Sequence, residues 1–193
     1  MPITLNGSGT VTGISVGGLP DGIVDTDMIA AAAVTAPKRG PGSVLQVVQF
    51  TTATQVSVTL PTSSATTFYD TGLSGSITPS STSSKVFVTA IVSFGVKASA
   101  NGNKDMTLSI TDSSNNILDN TAGGGQSYKF NETYQTHLKA PLQLLHSPNT
   151  TSSFTYKVRV NPYYSNNSSA EAVFQESSYD QNRSRLILME IAG

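Results

Sequence analysis

The chain has 193 residues, only 12% of them charged, and a formal net charge of −1. That balance excludes the basic surface from which nucleic-acid binding draws its affinity, and the lack of cysteine excludes disulfides, thiolate metal sites and cysteine nucleophiles. Leu, Ile, Val and Phe make up about a quarter of the residues, above the roughly 20% at which disorder becomes the default, so a folded core is expected.

The opening "MPITLNGSGTV" lacks the basic start and apolar run of a secretory signal, and no stretch approaches the roughly 18 apolar residues of a membrane span. Neither export by that route nor membrane insertion is expected. The next segment, "GLPDGIVDTDMIAAAAVTAPKRGPG", predicts at most one short helix. Asp25 caps it, Asp27 favours its positive end and Pro37 stops it. A helix this short is marginal in water, and it has little to bury beyond Ile23, Val24, Met28, Ile29 and Val34. With an offset of ten, Ile23-Val24 lies over Ala33-Val34, a faint repeat of the kind that needs stacked neighbours or other chains to cover its apolar face. The plainer reading is a flexible linker with one helical turn. Asp21, Asp25 and Asp27 lack the closing bidentate Glu of a calcium loop, and capping accounts for them, so no metal is assigned.

From Gly42 onward the pattern is of strands: "SVLQVVQF", "QVSVTL", "GSIT", then "SKVFVTAIVSFGV", where Val86, Val88, Ala90, Val92 and Phe94 share one face. The other face of that strand carries Phe87, Thr89, Ile91 and Ser93, fit to meet solvent or a neighbouring subunit. Further strands are expected at "DMTLSIT", "YKFNETYQTHL", "FTYKVRV", "EAVFQ" and "SRLILMEI", the last inside a sheet rather than at its edge. Turn signals separate them at Pro61, Thr71-Gly72, "ITPSSTSS", "ANGNKD", "DSSNN", "AGGGQS", "HSPNTTSS" and "NPYYSNNSS". Short strands punctuated every ten or so residues predict an all-β, antiparallel β-sandwich of jelly-roll type over residues 41–193, with residues 1–40 as a shaft or attachment segment.

Candidate chemistry is sparse. His137 and His146 stand in no motif with a nucleophile or a metal ligand, and structural roles are expected for both. There is no nucleophile elbow, and Gly123 to Gly125 precede no Lys-Ser/Thr of a phosphate loop. No catalytic residue, cofactor or metal is assigned. The loops "NPYYSNNSS" and "ESSYDQNRS" are richer. Tyr163, Tyr164 and Tyr179 offer flat faces, and Asn166, Asn167, Asp180, Asn182 and Arg183 offer polar partners, the chemistry that engages sugars and polar surfaces. The alternative is that tyrosines mark strand ends and Asn/Ser make turns. Sequons at Asn131, Asn149, Asn166 and Asn182 are read as accidents of composition.

The phrase "DGIVDTDMIAAAAVTAPK" resembles the shaft segments of tailed-phage fibre proteins, and "ITLNGSGTVTGISVGGLPDG" is similar to the amino-terminal phrase of marine-phage (cyanophage-like) fibre and structural proteins. "VLQVVQF", "TGLSGSITPSSTSSKVFVTAIVSFG" and "SRLILMEIAG" continue that likeness in order, over roughly half the chain. The shaft phrase occurs at most twice, which fits a short tail fibre, spike or head fibre rather than a long one. The resemblance implies a non-enzymatic virion protein, a homotrimeric head contacting a host glycan or protein, and residues 1–40 docking other virion proteins. A capsid decoration protein is the alternative within the virion. A carbohydrate-active enzyme on a β-scaffold is the alternative of another class, though acidic residues number only 12. A bacterial adhesin module is disfavoured by the missing export signal.

Overall fold

A computed structural model of the chain describes residues 4–5, 11–12, 34, 38–64, 66–98, 102–118, 126–130, 136–166, 170–177 and 182–193. The chain divides into two compact units, Met1–Arg39 and Gly40–Gly193. In the first, β1 (Thr4–Leu5) and β2 (Val11–Thr12) pair antiparallel, with Thr4 opposite Thr12. The expected helix and its positions Ile23, Val24, Met28 and Ile29 lie outside the described residues, as do Asp21, Asp25 and Asp27; Val34 is exposed.

The second unit is an antiparallel β-sandwich, and no helix among the described residues is long and apolar enough to cross a membrane. Its strands are β3 (Val44–Thr52), β4 (Val56–Thr59), β5 (Tyr69–Ile77), β6 (Lys85–Lys97), β7 (Lys104–Thr111), β8 (Gln126–Phe130), β9 (Thr136–His146), β10 (Phe154–Ser165), β11 (Glu171–Phe174) and β12 (Ser184–Ile191). β6 is long enough to pair with β12 over Lys85 to Ile91 and with β11 over Phe94 to Lys97, while β9 runs along its other edge. β3 and β4 lie beside β12 and β11 in the same way. Each of these two pairs therefore acts as one interrupted strand, and the sandwich has eight columns. In chain order, one sheet reads first, eighth, third, sixth (β3/β4, β11/β12, β6, β9) and the other second, seventh, fourth, fifth (β5, β10, β7, β8). This doubled Greek-key order is the jelly roll.

Alternation explains the core. Val86, Val88, Ala90, Val92 and Phe94 of β6 all point inward and are buried, meeting Met106, Leu108 and Ile110 of β7, Val158 and Val160 of β10, and Leu186 and Leu188 of β12. Each of these side chains except Ala90 stabilises the fold by about 1.5–3 kcal/mol relative to exposure. β12, with Leu186, Ile187, Leu188, Met189 and Ile191 along it, lies between β3 and β6 as its sequence predicts. At one margin Phe50 of β3 lies flat on Gly75 of β5, where a Cβ would fall 2.1 Å from the ring, so only glycine lets the two sheets close there.

Three local expectations are corrected. The run "YKFNETYQTHL" is two strands, β8 and β9, and β9 continues through Pro141 to His146 because it is an edge strand, where a missing N–H costs little. Thr71-Gly72 is a bulge inside β5, with Gly72 at φ 81° and Thr71 Oγ1 donating to Val158 O at 2.7 Å, rather than a turn. "NPYYS" is the end of β10, since Pro162 is buried and Ser165 pairs with Lys104.

Two polar anchors hold the interruptions and loops. Gln175, buried at φ 47°, donates its amide to Thr71 O (3.0 Å) and Thr54 O (3.1 Å) and accepts from Ser184 Oγ (2.5 Å), so one side chain ties both sheets at the break between β11 and β12. At the end of β12, Glu190 Oε1 accepts from Ser80 N, Ser80 Oγ and Ser84 Oγ, each at 2.7 Å, and Oε2 accepts from Gln46 Nε2 at 2.6 Å. Burial alone would push this carboxyl's pKa up, but the hydrogen bonds from Ser80, Gln46 and Ser84 outweigh it and hold the group below the ordinary carboxylate range.

Candidate functional site

The outer face of β10 carries the most polar chemistry in the sandwich. Because Tyr156, Val158 and Val160 are buried, period-two alternation turns Lys157, Arg159 and Asn161 outward. Asp70 of β5 stands opposite, its Oδ1 lying 3.2 Å from Lys157 Nζ and 3.1 Å from Arg159 Nε. Arg159 also donates to Phe68 O, and Lys157 Nζ donates to Asn115 Oδ1 at 3.0 Å. The two cations thus share one carboxylate in a row aligned with the strand. Asn161 Oδ1 is buried without a hydrogen-bond partner.

Beyond Asn161 the register with β7 shifts, and the bulge sets Tyr164 opposite Asp105. Tyr163 is 44% exposed and Tyr164 half-buried. Ser165 N donates to Pro61 O (2.7 Å) and Asn166 N to Asn103 O (3.1 Å), which fixes this end of β10 against two neighbouring loops. Beneath it, Lys104 is fully buried with Nζ donating to Gly102 O at 2.9 Å, and burial lowers its pKa. Tyr163, Tyr164 and Asn166 therefore share one rigid, backbone-anchored corner.

Asn182 and Arg183 do not join them. Asn182 Oδ1 accepts from Ser93 Oγ at 3.2 Å, and Ser93 faces outward from β6, so Asn182 belongs to the outer surface of the opposite sheet, a sandwich thickness of about 10 Å away. Arg183 follows it and is exposed. Asn167, Tyr179 and Asp180 lie outside the described residues. The row Lys157, Arg159, Asn161 was missed from sequence, although the alternation in "KVRVNPY" places all three on the face that Tyr163 extends.

The two histidines sit near opposite ends of β9. His146 Nδ1 is 2.9 Å from Tyr156 Oη and its ring packs on Phe154 and Tyr156; burial lowers its pKa, partly opposed by the charge of Asp112. His137 Nε2 is 3.3 Å from Glu176 Oε2, linking β9 to the segment after β11 across β6. Among the described residues no three His, Asp or Glu could hold a metal ion together. Glu190 is enclosed by its four hydrogen bonds, and Asp70 stands between two cations.

No protein-family model matches the chain, and no curated protein matches it. Solved structures are similar in outline. T=1 particles derived from infectious bursal virus align at 12% identity and a TM-score of 0.34, covering 77% of this chain and 36% of theirs. The VP2 subviral particle of infectious bursal disease virus aligns at 11% identity and a TM-score of 0.32, covering 77% and 38%; the Gx strain of that virus gives 11%, 0.32, 78% and 39%. The chain spans well under half the length of these proteins. The jelly-roll assignment rests on strand order and register, not on these alignments.

Proposed function

We propose that this chain is a non-enzymatic virion structural protein of a tailed phage, a short tail fibre, spike or head fibre whose trimeric jelly-roll head contacts the host surface. The jelly roll is an architecture that recurs in capsid and lectin domains, and the phrases shared with phage fibre proteins supply the particular class. The observation that carries the reading is the anchored corner at the end of β10. Two tyrosines and Asn166 on a rigid strand end, continued by the row Lys157, Arg159 and Asn161, make a flat, hydrogen-bonding surface suited to a glycan or a polar protein face. Residues 1–40 dock the head to other virion proteins, through Ile23, Val24, Met28, Ile29 and Val34. Asn167, Tyr179, Asp180, Asn182 and Arg183 are left as a secondary contact.

The test is adsorption. Purified protein is expected to block phage adsorption to host cells, and replacing both Tyr163 and Tyr164 by alanine should remove the block by tenfold or more while the thermal melt stays in place. Undiminished blocking by a folded double variant would sink the corner as the contact. Locating the chain on the particle by electron microscopy separates fibre from shell decoration.

A further inference from the structure

The other outer surface, that of the sheet β3/β4, β11/β12, β6, β9, is apolar where solvent should meet it. Register sets Val47, Met189, Phe87 and Leu145 in one row straight across all four columns on the outward side. Val47 and Leu145 are each 56% exposed. The next outward rows add Ile187, and then Ile91 and Pro141, and the only charge in these three rows is Arg185 in the last. With strands about 4.8 Å apart and outward rows about 6.8 Å apart, the face out to Val44 and Ile191, a fourth row that also holds Lys85, spans on the order of 500 Å², with Gln49, Thr51, Thr89, Gln143 and Arg185 set among its apolar side chains. Two such faces together reach the roughly 1,000 Å² that a specific interface needs.

We propose that this face is where copies of this chain meet, with the row Val47, Met189, Phe87, Leu145 turned toward a common axis. This rests on the oligomeric part of the reading above and names its surface. Self-association fits the face better than a charged partner does, because its charges, Arg185 and Lys85, lie in its two end rows and no carboxylate lies between them to recruit a basic partner. At the β9 edge Pro141 opposes edge-to-edge growth of the sheet, which there favours burial through the face. Neutral glutamines and threonines between the apolar rows supply hydrogen bonds without a desolvated charge.

The experiment measures solution mass of the full chain at micromolar concentration for the wild type and for Val47→Glu/Leu145→Glu, with a circular-dichroism melt for each. A three-chain wild type and a folded, monomeric variant are expected, corresponding to association weakened at least about 100-fold. A variant that melts normally and keeps the wild-type mass overturns the face while leaving the oligomer standing. A monomeric wild type overturns both. A two-chain wild type split by the variant supports the face and removes three-fold order. Since the chain has no cysteine, Val47→Cys/Leu145→Cys provides a check that adds no charge. Within one copy the two positions are about 14 Å apart, too far for a disulfide. Oxidation should therefore give covalent dimers and trimers, and a gel showing monomer alone would also overturn the proposal.

Discussion

The two outer faces of the sandwich are built by the same alternation over the same core, yet one carries Lys157, Arg159, Asn161 and Asp70 and the other Val47, Met189, Phe87 and Ile187. Folding makes no such demand. Inward positions on both sheets are apolar because the core requires it, whereas outward positions could all be polar at little cost to stability. What an outward face carries is therefore informative about what it meets. On the polar face Asp70 holds Lys157 and Arg159 in a directional row, which suits recognition. The apolar face would be left dry only if another surface covered it.

The largest expected effect contrasts the inside of the apolar-faced sheet with its outside. Val88→Asp puts a carboxylate where Val88 is fully buried and should cost more than about 4 kcal/mol, enough to unfold the domain. Leu145→Asp, on β9 beside β6 but facing out, should cost the isolated subunit less than about 1 kcal/mol while disturbing assembly. Urea titrations at high dilution measure both. Equal destabilisation by the two variants would mean that Leu145 is not on an outer face at all.

Glu190 comes next, because it occupies an inward position on β12 yet is ionised. Removing it in Glu190→Ala leaves three serine donors and one amide donation without their acceptor, at about 3 kcal/mol. Its folded pKa is depressed, so the stabilisation is fully present above the ordinary carboxylate range and is lost as pH falls through the depressed value. His146 adds a shallower slope of the same sign higher up. Its folded pKa is also lowered, so the unfolded chain binds the proton first and stability starts to fall as pH drops below about 6.5. Melts from pH 8 to pH 3 should show two declines, the upper absent in His146→Phe and the lower reduced in Glu190→Gln, where the depressed carboxyl of Asp112 still contributes. A single decline in the wild type would contradict the assignment.

Sequence alone made the inward faces legible. Val86 to Phe94 announce their period without help, and the jelly-roll class follows from many short strands. The outward apolar row was half visible. Phe87 and Ile91 were read as part of a mixed surface because Thr89 and Ser93 alternate with them, and the row emerges only when β3, β12 and β9 are set in register from far along the chain. The interrupted columns had no local signal either, since the break after Thr52 matches one after Phe174 across more than a hundred residues. Asn161-Pro162 misled for a physical reason. Proline is a breaker where its neighbours need its N–H, and at a sheet edge or beside a bulge they do not. Of the expected recognition residues, Tyr163, Tyr164 and Asn166 hold together, whereas Asn182 was grouped with them by composition and is separated by the sandwich.

The smallest effect concerns how the polar face holds its charges. Asp70 is more than half exposed, so its pairing with Arg159 should be screened, and a double-mutant cycle of Asp70→Asn with Arg159→Gln is expected to give a coupling of only about 0.5–1 kcal/mol, shrinking as salt rises toward 1 M. The weakness matters for recognition. A carboxylate this loosely bound can be displaced, so an anionic group on a partner could take its place between Lys157 and Arg159 without a large penalty. If Asp70→Asn strengthens adsorption to an acidic host surface and leaves adsorption to a neutral one unchanged, the polar face reads charge. If adsorption to both is unaffected, the row from Lys157 to Asn161 only holds β5 against β10, and recognition rests on the tyrosine corner alone.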